Sequence, residues 1–295
     1  MTNYRIIFFG TEDFSANSLV ALINSGYNIS AVITKPDQPK GRGHKISEPL
    51  VKTIATKHDI PVWQPSRLSE ITEDIIKLQP VAGVLVSYGK IIPQNIINLF
   101  TPGIINVHPS LLPRYRGPSP IESAILNQDH ETGVTIMQLS AEMDAGPIYI
   151  QQSINLDGTE TKPTLYNKLS EIGNNLLTSN LPKMLDNTLT PIPQDDNLAT
   201  YCSLLTKQDS CLDPTKLTAS EAEARVRAFL DYPRTKITLG DTDTIITMAH
   251  TSNFATSKLS IKFKDDNYLV IDELIAPSGK KMTADAYLRG HKLQN

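Results

Sequence analysis

At 295 residues and 40% hydrophobic composition, the chain is long enough for two ordinary domains and for a sizeable buried core. A net charge of −3 excludes the strongly basic surface of an indiscriminate nucleic-acid binder. The longest apolar stretches, such as Ile6–Phe9 and Val81–Val86, are far too short for a bilayer, Met1–Arg5 begins no signal peptide, and Cys202 and Cys211 alone make neither a disulfide framework nor a four-ligand zinc site, so a cytoplasmic protein with no membrane segment and no metal is expected.

Residues 5 to 9 read as a buried strand, 10 to 13 as a turn, and 15 to 25 as a helix with Leu19, Val20, Leu22 and Ile23 inward and Gly26 as its stop. A strand at 29 to 34 completes a strand–helix–strand unit of a parallel sheet. A helix capped by Ser47, a short strand at 61 to 63 and a helix at 71 to 78 follow. The alternation continues with a strand at 81 to 86, a helix at 93 to 100 and a strand at 103 to 107. This pattern predicts a doubly wound, mostly parallel α/β domain of Rossmann-like type. A helix at 121 to 126, strands at 134 to 139 and 148 to 152, and a long helix at 164 to 181 with Pro182 near its end complete it. We place this domain at 1–190, a proline-rich linker at 191–206 and a second domain at 207–295. The second domain opens with a helix whose capping box is Thr218 and Glu221. Strands at 235 to 239, 244 to 248, 259 to 263 and 268 to 275 then predict a small OB-like β-barrel, closed by a turn of helix near 285 to 288.

In a doubly wound sheet, ligands gather beyond the carboxyl ends of the strands. Tyr88-Gly89 fall at that edge and are candidates for cofactor contact, as do Asn106 and His108. The last two stand at the strand repeat, so an amide and an imidazole leave the same face beside a loop stiffened by Pro109 and Pro113. Downstream, Asp144 offers a carboxylate in the turn Met143-Asp144-Ala145-Gly146-Pro147. Acyl transfer to an amine passes through a tetrahedral intermediate whose oxygen gains charge. It needs a donor for that oxygen, a group to manage the amine's proton and a group to orient the base. Asn106, His108 and Asp144 suit those tasks without a metal.

The full string is Asn106-x-His108-x-Ser110-Leu111-Leu112-Pro113-Arg114-Tyr115-Arg116-Gly117-x-x-Pro120-Ile121, followed by Asp144-x-Gly146. With Ile7-Phe8-Phe9-Gly10-Thr11-Glu12-Asp13-Phe14, Arg225-x-Arg227-Ala228-Phe229 and Pro277-x-Gly279-Lys280-Lys281-Met282, it resembles the folate-dependent formyltransferases, most closely those acting on a charged tRNA. The resemblance implies formyl transfer from 10-formyltetrahydrofolate to the α-amine of methionine esterified to initiator tRNA. It implies that Asn106, His108 and Asp144 are catalytic and that Ser110, Leu111, Leu112 and Pro113 contact folate. The chain departs from the common pattern at Glu12, Pro109 and Pro147, and its 248 to 268 run is short for the family.

The acceptor has to be read elsewhere. The loop from Lys35 to Lys45 carries Lys40, Arg42 and Lys45 among glycines and is long for an α/β connection. Composition alone also describes a merely solvated loop. On the ligand edge, those cations suit RNA phosphates, and the segment is similar to the loop that such formyltransferases insert into an acceptor stem, with Arg42 at the matching position. Lys258, Lys262 and Lys264 could line a barrel face, or simply be solvated. Two alternatives stay open: a folate-dependent enzyme for a small amine, such as an amino sugar nucleotide or glycinamide ribonucleotide, and a non-catalytic tRNA-binding protein. A monomer is expected.

Overall fold

The computed structural model describes residues 4–40, 45–239 and 242–290. It divides into two compact units, one of residues 1–118, 133–154 and 167–201, the other of 119–132, 155–166 and 202–295.

The first unit begins with β1 (Arg5–Gly10), α1 (Asp13–Asn24) and β2 (Asn28–Ile33). A hairpin of β3 (Gln38–Lys40) and β4 (Lys45–Ser47) follows, then α2 (Leu50–Lys57), β5 (Val62–Trp63), α3 (Thr72–Leu78), β6 (Ala82–Val86), α4 (Gln94–Ile97) and β7 (Gly103–His108). β8 (Glu131–Gln138), β9 (Ile148–Asn155) and α6 (Lys162–Leu185) follow in the chain, while α5 (Pro120–Leu126), between β7 and β8 in sequence, falls in the second unit. The strands form one seven-stranded sheet in the order β5-β2-β1-β6-β7-β8-β9. Neighbours from β5 to β7 pair parallel and β8 runs antiparallel to β7, the expected doubly wound, mostly parallel sheet. Ile6, Ile7, Phe8 and Phe9 of β1 are fully buried, which is why this strand reads as a continuous apolar run rather than an alternating one.

Three details differ from the sequence reading. The Lys35 to Lys45 segment is not all loop, because β3 and β4 pair antiparallel with Lys40 opposite Lys45. Its base is pinned by Asp37, which accepts from Gln64 at 2.7 Å and Lys52 at 2.6 Å; these bonds hold its carboxyl below the usual carboxylate range. Helix α2 is preceded by Pro49 rather than capped by Ser47, which instead ends β4. Helix α6 runs through Pro182 to Leu185. Proline removes the N–H that would bond the carbonyl four residues back. That carbonyl, of Thr178, accepts instead from the Tyr27 hydroxyl at 2.8 Å, so the helix continues and buries Met184 and Leu185.

In the second unit α7 (Ala219–Ala228) has the expected capping box: Glu221 accepts from Thr218 N–H at 2.7 Å and Glu221 N–H donates to the Thr218 hydroxyl at 3.1 Å. Strands β10 (Lys236–Leu239), β11 (Thr242–Ser252), β12 (Ser260–Lys262), β13 (Tyr268–Ile275) and β14 (Lys281–Thr283) form a five-stranded antiparallel sheet, followed by α8 (Ala284–Gly290). It is a small barrel-like domain. Its core joins Ala222 and Val226 of α7 to Ile246, Leu269 and Ile271 of the sheet and Tyr287 of α8. The expected row of lysines is not on one strand: Lys258 and Lys264 lie in turns, Lys262 pairs with Asp266 at 2.7 Å, and Lys264 donates to the Lys216 carbonyl at 2.6 Å.

Candidate active site

The carboxyl ends of three parallel strands meet beside β7. Thr11, just past β1, gathers them: its N–H donates to Ser87 O at 3.2 Å, its hydroxyl to Tyr88 O at 3.1 Å, and it accepts from Lys35 N–H at 3.4 Å. Strand alternation sets what β7 offers at that edge. A Cβ on Gly173 of α6 would meet the Val107 side chain at 2.9 Å, so Val107 faces α6. Asn106 and His108 therefore leave the opposite face. They are only 4% and 5% exposed.

His108 Nε2 lies 2.9 Å from Tyr115 O. A carbonyl only accepts, which assigns the proton to Nε2 and leaves a lone pair on Nδ1. Nδ1 faces Asp144 Oδ2 at 3.7 Å, ion-pair range rather than hydrogen-bond length. The same Oδ2 accepts from Gly117 N–H at 2.8 Å. Asp144 has φ of +49°, a left-handed conformation that an L-residue enters at a cost of roughly 1–2 kcal/mol, so surrounding contacts must hold it. By contrast, the Asn106 amide finds no hydrogen-bond partner among the described residues. The residue is buried, but its amide is not among the fully enclosed groups that lack a partner, so its donors and acceptor are open to a ligand.

The loop after His108 is tied internally. Ser110 N–H donates to His108 O at 2.9 Å, and the Ser110 hydroxyl to Arg114 O at 2.6 Å. Thr135 donates to Ser110 O at 2.6 Å and accepts from Leu112 N–H at 3.1 Å, while Gln151 donates to Leu112 O at 2.8 Å. Ser110 and Leu112 are buried in this network, Leu111 is half-buried, and the peptide before Pro113 is cis. Of Ser110 to Pro113, the structure thus offers a fixed rim rather than a set of free polar side chains.

Tyr88 and Gly89 stand at the end of β6, but only the backbone of Tyr88 faces the edge. Its ring is 1% exposed, packs edge-on against Phe9 at 5.8 Å and belongs to the core cluster with Ile96, Phe100 and Ile104. Burial pushes its phenol up to about 12, and its hydroxyl is buried without a hydrogen-bond partner among the described residues. Tyr88→Phe is therefore expected to raise the urea midpoint by relieving about 1–3 kcal/mol of unmet desolvation. A lowered midpoint would show that the hydroxyl is satisfied in the folded protein. Gly89 has φ of +68°, and a Cβ there would collide with the Lys35 ammonium.

Lys40 and Lys45 sit opposite one another in the β3–β4 hairpin, and Arg42 lies outside the described residues. Sequence reasoning did not single out Arg116 or Gln194. Arg116 is 2% exposed, bonds Gln194 through Nε at 3.1 Å and Nη2 at 2.8 Å, and pairs with Asp196 at 2.7 Å. The available signal was the pair Arg114 and Arg116 in the loop that follows Asn106 and His108.

An amide, an imidazole and a carboxylate at the carboxyl edge of such a sheet can hold a carbonyl oxygen and move a proton. The family to which this arrangement belongs follows from comparison with known proteins. A family model described as "Formyl transferase" matches residues 4–181. The methionyl-tRNA formyltransferase of Halorhodospira halophila is 38% identical, covering 98% of this chain and 97% of its own length. That of Staphylococcus epidermidis (strain ATCC 12228 / FDA PCI 1200) is 37% identical over 97% of this chain and 96% of its own. Among solved structures, an N-formyltransferase from Helicobacter canadensis in complex with folinic acid and dTDP-3-aminofucose superposes with a TM-score of 0.69 at 20% identity, covering 91% of this chain and 98% of that one. The chain belongs to the formyl transferase family.

Proposed function

We propose that this protein transfers the formyl group of 10-formyltetrahydrofolate to the α-amine of methionine on charged initiator tRNA. Near-full-length identity to methionyl-tRNA formyltransferases supports the acceptor. The single observation that carries the chemistry is the Asn106 amide, which has no hydrogen-bond partner among the described residues, beside an imidazole–carboxylate pair. The folate co-substrate supplies an activated formyl carbon. Asn106 donates an N–H to the formyl oxygen as it gains charge, where one well-placed donor is worth about 2.7–4 kcal/mol. As the amine nitrogen bonds to the formyl carbon, His108 receives the amine's proton at Nδ1, because Nε2 is committed to Tyr115 O; the formyl carbon's bond to the folate nitrogen then breaks, and that nitrogen takes up a proton as tetrahydrofolate leaves. Asp144 faces that nitrogen and stabilises the imidazolium that forms when the proton arrives. The tied loop Ser110, Leu111, Leu112 and Pro113, with the backbone at Tyr88 and Gly89, forms the wall against which folate lies. This reading takes the enzyme as a cytoplasmic monomer acting beside the translation machinery.

Purified protein given 10-formyltetrahydrofolate and charged initiator tRNA should yield formyl-methionyl-tRNA. Turnover of an amino sugar nucleotide or glycinamide ribonucleotide with charged tRNA ignored would replace the acceptor. TRNA binding without any transfer would make the protein a binding module.

Lys40 and Lys45 of the paired β3 and β4 strands, with Arg42, which lies outside the described residues, are the proposed tRNA contacts. Arg42→Ala is expected to weaken tRNA binding and to lower the slope of log K against log salt by about 0.7–0.9 if one phosphate contact is lost. Filter binding over a salt series checks this, and an unchanged slope would return the hairpin to a solvated role.

A further inference from the structure

Asp144 holds a costly backbone conformation, and one side chain grips it from both sides. Gln194 Nε2 donates to the carbonyls of Asp144 and Gly146, each at 2.7 Å. Its Oε1 accepts both bonds from Arg116. The orientation of the amide is forced, since a guanidinium only donates and carbonyls only accept. Arg116 is itself fixed: its N–H donates to Thr200 O at 2.8 Å, Nη2 pairs with Asp196, and its guanidinium lies 6.0 Å over the Tyr201 ring. The next residue, Gly117, supplies the N–H that binds the Asp144 carboxylate. Two arms thus run from Arg116 to Asp144, one through Gly117 to the carboxylate and one through Gln194 to the backbone beneath it.

We propose that Gln194, held by the buried Arg116, is a positioning residue that fixes the Asp144 turn so that its carboxylate faces His108 Nδ1. The proposal rests on the reading of Asn106, His108 and Asp144 as the reacting set. It gives the segment around residue 194, which carries no reactive group of its own, a part in the reaction rate. It also gives the Arg116 guanidinium a reason to be buried, where desolvation disfavours it.

Gln194→Glu is the informative variant, because it keeps the acceptor for Arg116 and removes the donor to the two carbonyls. It should lower kcat by about 10–100-fold, the scale of a misplaced reacting group, with KM for both substrates within about twofold. In an Asp144→Ala background the same change should lower the rate no further. Equal fold losses in both backgrounds, or an unchanged kcat, would overturn the proposal. A second measurement needs no turnover: the imidazole nitrogen resonances of His108 in the resting protein should move in Gln194→Glu in the same direction as in Asp144→Ala, and unmoved resonances would also overturn it. If wild-type protein transfers no formyl group, the functional reading fails while the resonances still decide the positioning claim. If Gln194→Glu does not fold, Arg116→Lys, which keeps the charge and loses the fork, is expected to give the same pattern.

Discussion

Asn106→Ala lowers the single-turnover rate of formyl transfer by about 10²–10³, with tRNA affinity nearly unchanged. The size is that of one oxyanion donor, the role proposed for Asn106. The sparing of affinity follows from position, since Asn106 is buried at the end of β7 and has no surface for a macromolecule to grip. The wild-type amide has no partner among the described residues, so its removal strands no other polar group, and the variant should fold with little loss of stability. Rapid-quench measurement of formyl-methionyl-tRNA at saturating substrate, with a parallel binding titration, separates the two effects. A rate within a few-fold of wild type would remove Asn106 from the oxyanion role and leave His108 and Asp144 to be tested alone. His108→Ala should cost about 10²–10⁴ by the same assay, as loss of a positioned acid–base group does.

Gly146→Ala should be nearly as damaging, although it touches no reacting group. A Cβ at residue 146 would overlap the carbonyl oxygen of Gln138 and lie 3.0 Å from Met137 Cε. The obstacle is backbone of β8, where Gln138 pairs with Ile105 of β7 one residue before Asn106, so it cannot move aside cheaply. The turn would yield instead, carrying Asp144 away from His108 Nδ1 and loosening both bonds from Gln194. A displacement of about 1 Å at a reacting group can cost about 10²-fold in rate, and that is the expected loss in kcat. Comparison with Gly279→Ala gives the control, because nothing lies within 4 Å of a Cβ there, although its φ of +84° makes the substitution strained locally. If Gly146→Ala kept full kcat, the turn would have slack that its contacts do not suggest.

Period and spacing made much of this arrangement legible. The parallel sheet could be read because its strands are continuous apolar runs separated by helical patterns, and Asn106 and His108 could be placed on one face because they are two residues apart. What escaped was everything decided by distant partners. Pro182 looks like a helix stop, and only Tyr27, far away in sequence, satisfies the carbonyl that the proline abandons. The hairpin hid behind Pro36, Pro39 and two glycines, which signal turns more strongly than the three-residue strands between them signal pairing. Tyr88 could be assigned to the ligand edge, but not which of its atoms face it; aromatic packing against Phe9 took the ring inward. Gln194 lies in a stretch of prolines and acids with no periodicity, so nothing local marks it as a clamp.

The bond from Thr200 N–H to Pro113 O, together with Gln194 and Asp196 on Arg116, has a practical meaning for anyone cutting this chain into pieces. A fragment ending at Thr190 would retain Asn106, His108 and Asp144 and shed all of the braces that come from 194 to 200. Its reactive side chains would be present in an unassembled state, and on the ribosome the same holds until those residues have emerged. The smallest piece that keeps the braces ends no earlier than Tyr201.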